Sequence, residues 1–302
     1  MLRRGHNFLL SKANIRLIAG FILLLSFQDN DVHGFLQEPK GILLGANGRN
    51  SVEFRKATKL PGSKCDYDWR EERAKHYAGS DEEWKLQLER NQNPALDKAW
   101  AHTLHVPERG CTLVHNLKHT FTEADDQYLN GVVVFLWDHG PEGSQGLVLN
   151  RPIYNKLGEA NAVVPDSPLC DCPIYAGGPD GTQGMLTTMH RFKEMPGTKE
   201  IVPGICLGAY IQDIEDYVRK GKATPDDFRF FLQQKEWGPG ELERECNPLE
   251  NPRAVPVWWP SAMSKEFTLK HCIQLPVPLW REACRLLGGK FAMIARGVYD
   301  DL

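Results

Sequence analysis

The spacing of apolar residues along the chain changes near Pro107, from a helical period to the alternation that is typical of strands. Two helical stretches precede that point, residues 69–77 and 81–89, and Asp68 and Ser80 stand where their N-caps should lie. The apolar faces of these helices are narrow. We therefore predict a layer of accessory helices, within residues 65–95, that docks on the body of the protein.

After Pro107, short runs rich in β-branched and aromatic residues predominate. A turn predicted at residues 138–143 joins two of these runs into a hairpin with a central, buried strand. The predicted strands are residues 111–115, 131–137, 146–150, 173–176, 185–190, 201–207 and 228–232, and the predicted helices are residues 210–220, 240–246 and 278–287. Their irregular order argues against a regular βαβ alternation and favours one mixed α/β domain over residues 96–302.

The first 34 residues have the features of a signal peptide. Four basic residues precede an apolar stretch at residues 17–27, and no acidic residue comes before Asp29. A helix of that length, at ~1.5 Å per residue, spans only about half of the hydrocarbon core of a bilayer. We therefore predict a cleaved signal, with no stable membrane span in the mature form; a non-cleaved anchor is the alternative.

Residues 35–64 form a basic segment that is poor in acids, which is typical of a transit peptide. The arrangement resembles the two-part plastid address of algae with complex plastids, in which an aromatic residue, here Phe35, follows the signal peptide. We therefore expect a plastid protein, with the secretory pathway and the mitochondrion as alternatives. The chain has no Asn-x-Ser/Thr sequon, so nothing in it indicates a glycosylated secreted protein.

The charge of the chain is divided unevenly. Residues 1–64 hold ten Lys and Arg against four Asp and Glu, whereas residues 65–302 hold 26 against 35, a net charge of −9. Non-specific binding to nucleic acid depends on basic side chains that neutralise phosphates. Direct nucleic-acid binding by the body of the protein is therefore disfavoured.

The cysteine and histidine residues indicate no metal site. The eight cysteines include no Cys-x-x-Cys pair, so we expect mainly buried thiols and no disulfide scaffold. His102 and His105, like His115 and His119, have spacings that suit metal ligands on a helix, but His115 falls in a predicted strand. Cys206 has no base near it in sequence, although a Cys–His pair assembled by the fold stays open. We predict neither a metal nor a cofactor.

Familiar catalytic motifs are absent from the sequence, including Gly-x-Ser-x-Gly, His-Glu-x-x-His and the phosphate-binding loop of nucleotide hydrolases. The glycine-rich loop at residues 177–184 offers backbone amides to an anion, but Asp180 would repel a phosphate and no lysine is at hand. A turn with positive φ and a close backbone approach is the simpler interpretation of these glycines. We therefore assign no catalytic residue.

Two segments stand out as candidates for a binding site. The first, residues 143–152, ends a buried strand with an asparagine, an arginine and a proline in succession. Because a guanidinium does not enter a core unpaired, Arg151 should point into a pocket or pair with a carboxylate. The second segment is the turn at residues 177–179. The predicted binding residues are Asn150, Arg151, Pro152, Gly177, Gly178, Pro179 and Trp237.

The run Gly146-Leu-Val-Leu-Asn-Arg-Pro152, followed by Gly177-Gly-Pro179, resembles the AlgH/YqgE family, including its plant and algal branch. Further likenesses follow in order: Trp100-Ala-His, Pro107-Glu-x-Gly-Cys111, Asp227-Phe-Arg-Phe-Phe231, Trp237-x-x-Gly240-x-Leu242-x-x-Glu245, and Leu279-Trp280 through Gly288-Gly-Lys-x-Ala292. The resemblance spans residues 97–295. It implies a single α/β domain with a mixed, flattened sheet or barrel and helices packed outside, no established enzymatic activity, and a label of transcriptional regulator.

One departure from the family pattern bears on the site. Where the family usually has Gly-Tyr-Ala/Ser-Gly-Trp, this chain has Gln233-Gln-Lys-Glu-Trp237. Only the tryptophan is kept, so a pocket that uses those glycines should be altered here.

The residues and the resemblance together predict a non-enzymatic binding or regulatory protein, whose partner is another protein or a small anionic ligand. Two alternatives stay open. One is a transcriptional regulator associated with nucleic acid, and the other is an enzyme whose Cys/His or carboxylate site is assembled only by the fold.

Overall fold

The computed structural model describes residues 68–79, 96, 98–121, 127–247 and 255–299. Within them the chain forms two six-stranded sheets with helices packed against them, which confirms the predicted mixed α/β fold in the form of two sheets and not of a closed barrel. The predicted leader and the predicted helix at residues 81–89 lie outside the described residues.

The strands are β1 (Ala101–Thr103), β2 (Thr112–His115), β3 (Val133–Gly140), β4 (Gly143–Val148), β5 (Pro152–Lys156), β6 (Pro173–Ala176), β7 (Leu186–His190), β8 (Thr198–Val202), β9 (Ile205–Gly208), β10 (Arg229–Leu232), β11 (Lys235–Trp237) and β12 (Trp258–Met263). The first sheet has the order β1-β12-β2-β3-β4-β11 and is antiparallel. The second has the order β5-β6-β10-β7-β9-β8, and in it β10 runs parallel to β6.

The helices are α1 (Trp69–Ala78), α2 (Ile211–Arg219), α3 (Glu241–Cys246), α4 (Lys265–Thr268), α5 (Leu279–Leu287) and α6 (Gly289–Tyr299). Asp68 caps α1 as predicted, because its carboxylate accepts the backbone N–H of Arg70 at 3.0 Å. Gly221 and Gly288, which follow α2 and α5, both have positive φ, so these helices end where glycine permits a left-handed residue.

Two predicted strand boundaries were wrong. The strand predicted at residues 201–207 is two strands, β8 and β9, because the chain reverses between them at Gly204, whose φ is +76°. The turn predicted at residues 138–143 is shorter, since Asp138 and His139 pair across the hairpin with Gln145 and Ser144. Only two residues, 141 and 142, separate β3 from β4.

The main hydrophobic core joins both sheets to α5 and α6. Phe135 of β3, Tyr175 of β6, Phe231 of β10 and Trp280 of α5 are buried in this one cluster. Burial of large aromatic side chains contributes much of the stability of such a core. Among the described residues, no helix combines the length and the apolar character that a bilayer span requires.

Candidate functional site

The two segments singled out in the sequence meet where the sheets join. The N–H of Val148 donates to the carbonyl of Gly177 at 2.7 Å, and the N–H of Ala176 donates to the carbonyl of Arg151 at 2.8 Å. Gly177 donates in turn to the carbonyl of Leu232 at 2.8 Å. We call this region the inter-sheet junction and define it as residues 147–151, 177–179 and 229–237.

Asn150 braces the backbone that leads into β3. Its amide nitrogen donates to the carbonyl of Gly131 at 2.9 Å, and its amide oxygen accepts the N–H of Val133 at 2.9 Å. Both ends of the side chain are therefore engaged with main chain. An asparagine held at both ends positions a strand, and these two bonds leave one N–H and one lone pair of the amide for a ligand.

Arg151 lies beside Asn150 and holds the turn at residues 128–130. Its Nε donates to the carbonyl of Tyr128 at 2.9 Å, Nη1 donates to the carbonyl of Asn150 at 3.2 Å, and Nη2 donates to the carbonyl of Asn130. Pro152 is exposed and begins β5 at the edge of the second sheet. Proline is tolerated there because an edge strand can lack an N–H.

Gly177 and Gly178 lie where the chain between β10 and β11 crosses from one sheet to the other. A Cβ on Gly177 would lie 2.3 Å from the carbonyl oxygen of Gln233, and one on Gly178 would lie 2.0 Å from the carbonyl carbon of Gln234. These two glycines therefore serve a close approach of backbones, as predicted, whereas positive φ occurs later in the same loop, at Gly181 and Gly184.

The remainder of that loop is ill-suited to an anion. Pro179 is exposed, and its carbonyl accepts a long hydrogen bond of 3.4 Å from the side chain of Gln233. The carboxylate of Asp180 accepts the N–H of Glu236 at 2.9 Å and lies 3.3 Å from the ammonium of Lys235. The ammonium group of Lys235 is thus already paired with an acid.

Gln233 occupies the position where the family usually has its first glycine, and its φ is +61°. A side chain in the left-handed region costs about 1–2 kcal/mol. The glutamine that stands in place of the family's glycine therefore adds backbone strain at this position.

We predict that Gln233→Gly raises the free energy of unfolding by about 0.5–1 kcal/mol, because glycine relieves that strain at the cost of some entropy. The control is Gln233→Ala, which keeps a Cβ at positive φ and should bring no gain. Urea denaturation of both variants measures the difference, and equal stabilities would contradict the interpretation.

Trp237 is buried in a second hydrophobic cluster, and it makes no hydrogen bond to Asn150 or Arg151 among the described residues. Its indole N–H donates to the carboxylate of Glu245 at 2.8 Å, and the indole N–H of Trp258 donates to the same oxygen at 2.6 Å. Burial raises the pKa of Glu245, while the two indole hydrogen bonds oppose that rise. This clamp joins α3 to the first sheet.

Arg229, which is not among the predicted binding residues, lies within the junction. The residue is 1% exposed, and its guanidinium lies over the rings of Tyr175 and Phe231 at 4.8 and 5.0 Å. Nη1 donates to the carbonyl of Thr268 at 2.7 Å and Nη2 donates to that of Leu149 at 2.5 Å. Its signal in the sequence was an arginine inside an aromatic strand, in the run at residues 228–231.

No carboxylate pairs with Arg229 within the described residues, and its Nε has no hydrogen-bond partner there. Burial lowers the pKa of the guanidinium, but an arginine stays protonated in proteins. A buried charge without a counter-ion costs several kcal/mol. The junction therefore carries a buried positive charge with no directly paired carboxylate among the described residues, and the nearest acid acting on its surroundings is Asp226, whose charge affects the pKa of Tyr175 and of His271.

A tyrosine, a histidine and a thiol surround this charge. The hydroxyl of Tyr175 hydrogen-bonds Nδ1 of His271 at 2.9 Å, and the other ring nitrogen of His271 lies 3.2 Å from the carbonyl of Asp226. Burial, followed by the charge of Arg229, lowers the pKa of His271 to about 4. The imidazole is therefore neutral at physiological pH. Cys272 follows it and is half-buried.

A cysteine and a histidine of the kind that the sequence left open are paired across two strands of the second sheet, but no hydrogen bond between their side chains is present among the described contacts. Cys206 of β9 lies directly opposite His190 of β7, and both are fully buried. Nδ1 of His190 accepts the N–H of Phe192 at 3.1 Å, and burial lowers its pKa to about 4. Burial also raises the pKa of Cys206 to about 12. Such a thiol supplies no thiolate nucleophile near neutral pH.

The histidine pair at residues 115 and 119 is poorly arranged for a metal. Nδ1 of His115 accepts the N–H of Gly131 at 3.1 Å, and burial lowers the pKa of this imidazole to about 3. The proton of the neutral ring therefore lies on Nε2, where a metal would have to bind. Within the described residues, no group of three or more potential ligands converges. Nε2 of His115 is instead a buried donor without a partner there.

A serine, a histidine and a glutamate lie in line at the tip of the β3–β4 hairpin. Oγ of Ser144 lies 2.8 Å from Nδ1 of His139, and Nε2 of His139 lies 3.8 Å from a carboxylate oxygen of Glu243 on α3. Ser144 is 4% exposed. No sequence motif indicates this arrangement, because His139 and Ser144 come from the two strands of the hairpin and Glu243 comes from α3, about one hundred residues later in the chain.

The fold and the junction together define the class of this protein. It is an α+β protein whose two sheets meet where two glycines allow a close contact of backbones, in a junction that also holds a buried arginine. The chain belongs to the AlgH-like family (DUF179), whose profile matches residues 119–292. A UPF0301 protein of Bacteroides fragilis is 31% identical over 165 residues, which cover 54% of this chain and 77% of that protein. A UPF0301 protein of Chlorobium luteolum is 31% identical over 163 residues, or 54% and 79%. Neither name states an activity.

Two solved structures are similar to parts of the chain. The solution structure of the AlgH protein from Pseudomonas aeruginosa has a TM-score of 0.45 and 22% identity, and it covers 64% of this chain and 93% of its own. A crystal structure of a protein from Corynebacterium diphtheriae has a TM-score of 0.47 and 16% identity, with the same coverage of 64% and 93%.

Proposed function

We propose that this AlgH-like chain is a non-enzymatic binding protein whose ligand is a small anion that binds at Arg229. One observation carries the proposal: a guanidinium 1% exposed, bound to two backbone carbonyls and paired with no carboxylate in the described residues. Carbonyl hydrogen bonds return only part of the hydration energy that the buried charge loses. An anion at this position would supply the missing charge.

Arg151 adds positive charge to the same part of the fold. The charges of Arg229 and Arg151 both act on the Cys272 thiol, and the charge of Arg151 also acts on His115, whose Nε2 has no hydrogen-bond partner among the described residues. Because Arg151 already donates to three backbone carbonyls, it contributes charge and not a free donor.

Access to Arg229 requires a movement of the segment that covers it. Thr268, whose carbonyl accepts Nη1, ends the short helix α4, and a 3-10 turn at Cys272–Gln274 follows. Thr268 and His271 on this segment are buried, whereas Ile273 is 55% exposed, so the segment leads from Arg229 to the surface. We place the entrance at residues 268–274.

The test is the thermal stability of the full chain with increasing inorganic phosphate, at an ionic strength held constant with chloride. A ligand at about one hundred times its Kd stabilises the folded state by about 2.7 kcal/mol. For a domain of this size that corresponds to a rise in Tm of roughly 5–10 °C. We expect this rise in the wild-type chain and in Arg229→Lys, which keeps the charge, and none in Arg229→Met.

The control variant is Arg219→Met, which removes an arginine at the end of α2 that makes one weak contact with the carbonyl of Asp166. It should keep the full response to phosphate. If Arg229→Met does not fold, protection of Cys272 from iodoacetamide by phosphate in the wild-type chain decides the question. A phosphate response that is unchanged in Arg229→Met, or no protection of Cys272, would contradict the proposal.

An enzyme is the second candidate, because Ser144, His139 and Glu243 have the order of a nucleophile, a base and an orienting acid. A fluorophosphonate probe tests it on the full chain. Labelling that disappears in Ser144→Ala would favour a hydrolase. We expect no labelling, because Ser144 is buried beside His139 in a hairpin pair, and such a contact also arises simply from strand pairing.

The plastid destination and the cleaved leader also belong to this proposal. They rest on the basic, acid-poor residues 1–64 and on Phe35, all of which lie outside the described residues. N-terminal sequencing of the protein recovered from its own cells tests them. A start at or after residue 35 supports the two-part leader, and an intact N-terminus contradicts it.

A further inference from the structure

The hydrogen bonds of His271 fix the position of the proton on its neutral ring. Nε2 lies 3.2 Å from the backbone carbonyl of Asp226, and a carbonyl oxygen only accepts, so Nε2 carries the proton. Nδ1 is therefore an acceptor, and it accepts the hydroxyl proton of Tyr175 over 2.9 Å. Both ring nitrogens of this buried histidine are thus engaged, and the hydroxyl of Tyr175 has no proton left for a ligand at Arg229.

Tyr175 connects the histidine to the buried charge. Its ring centroid lies 4.8 Å from Cζ of Arg229 and 5.8 Å from the ring centroid of His271. Burial raises the pKa of the Tyr175 hydroxyl, and the charge of Arg229 opposes that rise. Tyr175 is therefore in contact with the imidazole on one side and with the guanidinium on the other.

Several elements bring charged or titratable groups to His271. Tyr175 comes from β6, Arg229 from β10 and Asp226 from the 3-10 turn that precedes β10, and Lys270 is the neighbour of His271 in the chain. Burial, and then the charge of Arg229, lower the pKa of His271 to about 4; Lys270 also lowers it, whereas Asp226 raises it. A proton on His271 would thus add positive charge in a region where the charge of Arg229 already opposes it.

We propose that the anion at Arg229 binds together with a proton on Nδ1 of His271. When that proton arrives from solvent, Nδ1 becomes a donor to the oxygen of Tyr175, and the hydroxyl proton of Tyr175 is released to donate to the anion. The anion neutralises the added charge, and the protonated pair gives the anion a further donor. The inference rests on the proposed function, because it requires an anion at Arg229, and it adds a regulation of that site by pH.

The anion and the proton must strengthen each other's binding by the same factor. The pKa of His271 is then higher in the complex than in the free chain, so affinity for the anion rises as the pH falls and is constant well above both pKa values. An opposite charge within a few ångströms shifts a pKa by about 1–3 units. A rise of about 1–2 units from about 4 makes the anion bind about two- to tenfold more tightly at pH 5 than at pH 8.

The test is calorimetric titration of the full chain with sodium sulfate at pH 5 and pH 8, at constant ionic strength. Sulfate keeps one charge at both pH values, whereas phosphate gains a proton between them. His271→Gln, whose amide keeps a donor and an acceptor but takes up no proton, should bind sulfate equally at both. The matched control is His190→Gln, which should keep the wild-type difference, because His190 is also buried with a pKa of about 4 but bonds the N–H of Phe192 instead.

Proton NMR of the histidine rings in the wild-type chain gives a second measurement, which holds even if His271→Gln does not fold. Saturating sulfate should raise the titration midpoint of His271 by about 1–2 units and leave that of His190 unchanged. Tighter binding at pH 5 together with this shift supports both proposals. Equal binding at the two pH values, or no shift at His271, overturns the coupling and leaves the anion-binding function standing. No binding of sulfate at either pH overturns both.

Discussion

Replacement of Gly178 by alanine is expected to lower the free energy of unfolding by about 4 kcal/mol or more, which is the range of severe overpacking and strain. The added Cβ would lie 2.0 Å from the carbonyl carbon of Gln234 and 2.2 Å from both its oxygen and the nitrogen of Lys235. All three are backbone atoms, so no side-chain rotation relieves the overlap. Urea denaturation measures the loss.

The matched control is Gly140→Ala, at the end of β3, where an added Cβ meets nothing within 4 Å. Its effect should stay within about 0.5 kcal/mol. If Gly178→Ala is as mild as Gly140→Ala, the backbones do not cross as closely as the structure shows. The backbone of Gly178 would then not be in close contact with that of Gln234 and Lys235.

Arg70→Ala is expected to cost about 3–5 kcal/mol, because it removes one partner of a buried ion pair. Arg70 is 1% exposed, and its guanidinium binds the carboxylate of Asp68 at 2.8 Å and the carbonyl of Gly110 at 3.2 Å. It also reaches the carbonyl of Met263 at 3.5 Å. These bonds fasten α1 to the first sheet, so we expect a lower Tm and cleavage near α1 in limited proteolysis.

Lys75→Ala provides the control for that variant. Lys75 lies on the same helix and pairs with Glu71 and Glu72 at 3.2 and 2.8 Å, but all three side chains are substantially exposed. Exposed pairs contribute about 0–1 kcal/mol, so this variant should remain near wild type. If Arg70→Ala lowers the free energy of unfolding as little as Lys75→Ala does, the contacts between α1 and the first sheet contribute little to stability.

Most of the elements were predictable from local pattern. The hairpin of β3 and β4, the cap at Asp68 and the end of α2 before Gly221 follow from periodicity and from the conformational preferences of single residues. Several elements were not predicted. The strands β1 and β11 have three residues each, β5 and β12 contain Pro152 and Pro260, and the helix α4 has four residues. Too few positions remain in such short elements to show a period. The helix α6 has eleven residues, but it begins at Gly289, in the glycine pair that the pattern assigned to the end of α5.

The candidate site could be predicted only in part. The likeness of residues 146–152 and 177–179 to a family indicated which segments meet, and the glycines indicated a close approach. The likeness to the family could not indicate Arg229 as a binding residue, because only the folded structure shows that no carboxylate pairs with it among the described residues. Arg151 drew attention as an isolated cation, yet the structure shows its donors on the carbonyls of Tyr128, Asn130 and Asn150.

Isothermal titration calorimetry of the full wild-type chain with inorganic phosphate, at constant ionic strength, is the decisive measurement for anion binding at Arg229. We expect saturable binding of one phosphate per chain in the wild type and in Arg219→Met, and loss of that binding in Arg229→Met. No saturable heat in the wild-type chain, or equal binding in Arg229→Met, would contradict the assignment of Arg229 as the charge that an anionic ligand neutralises.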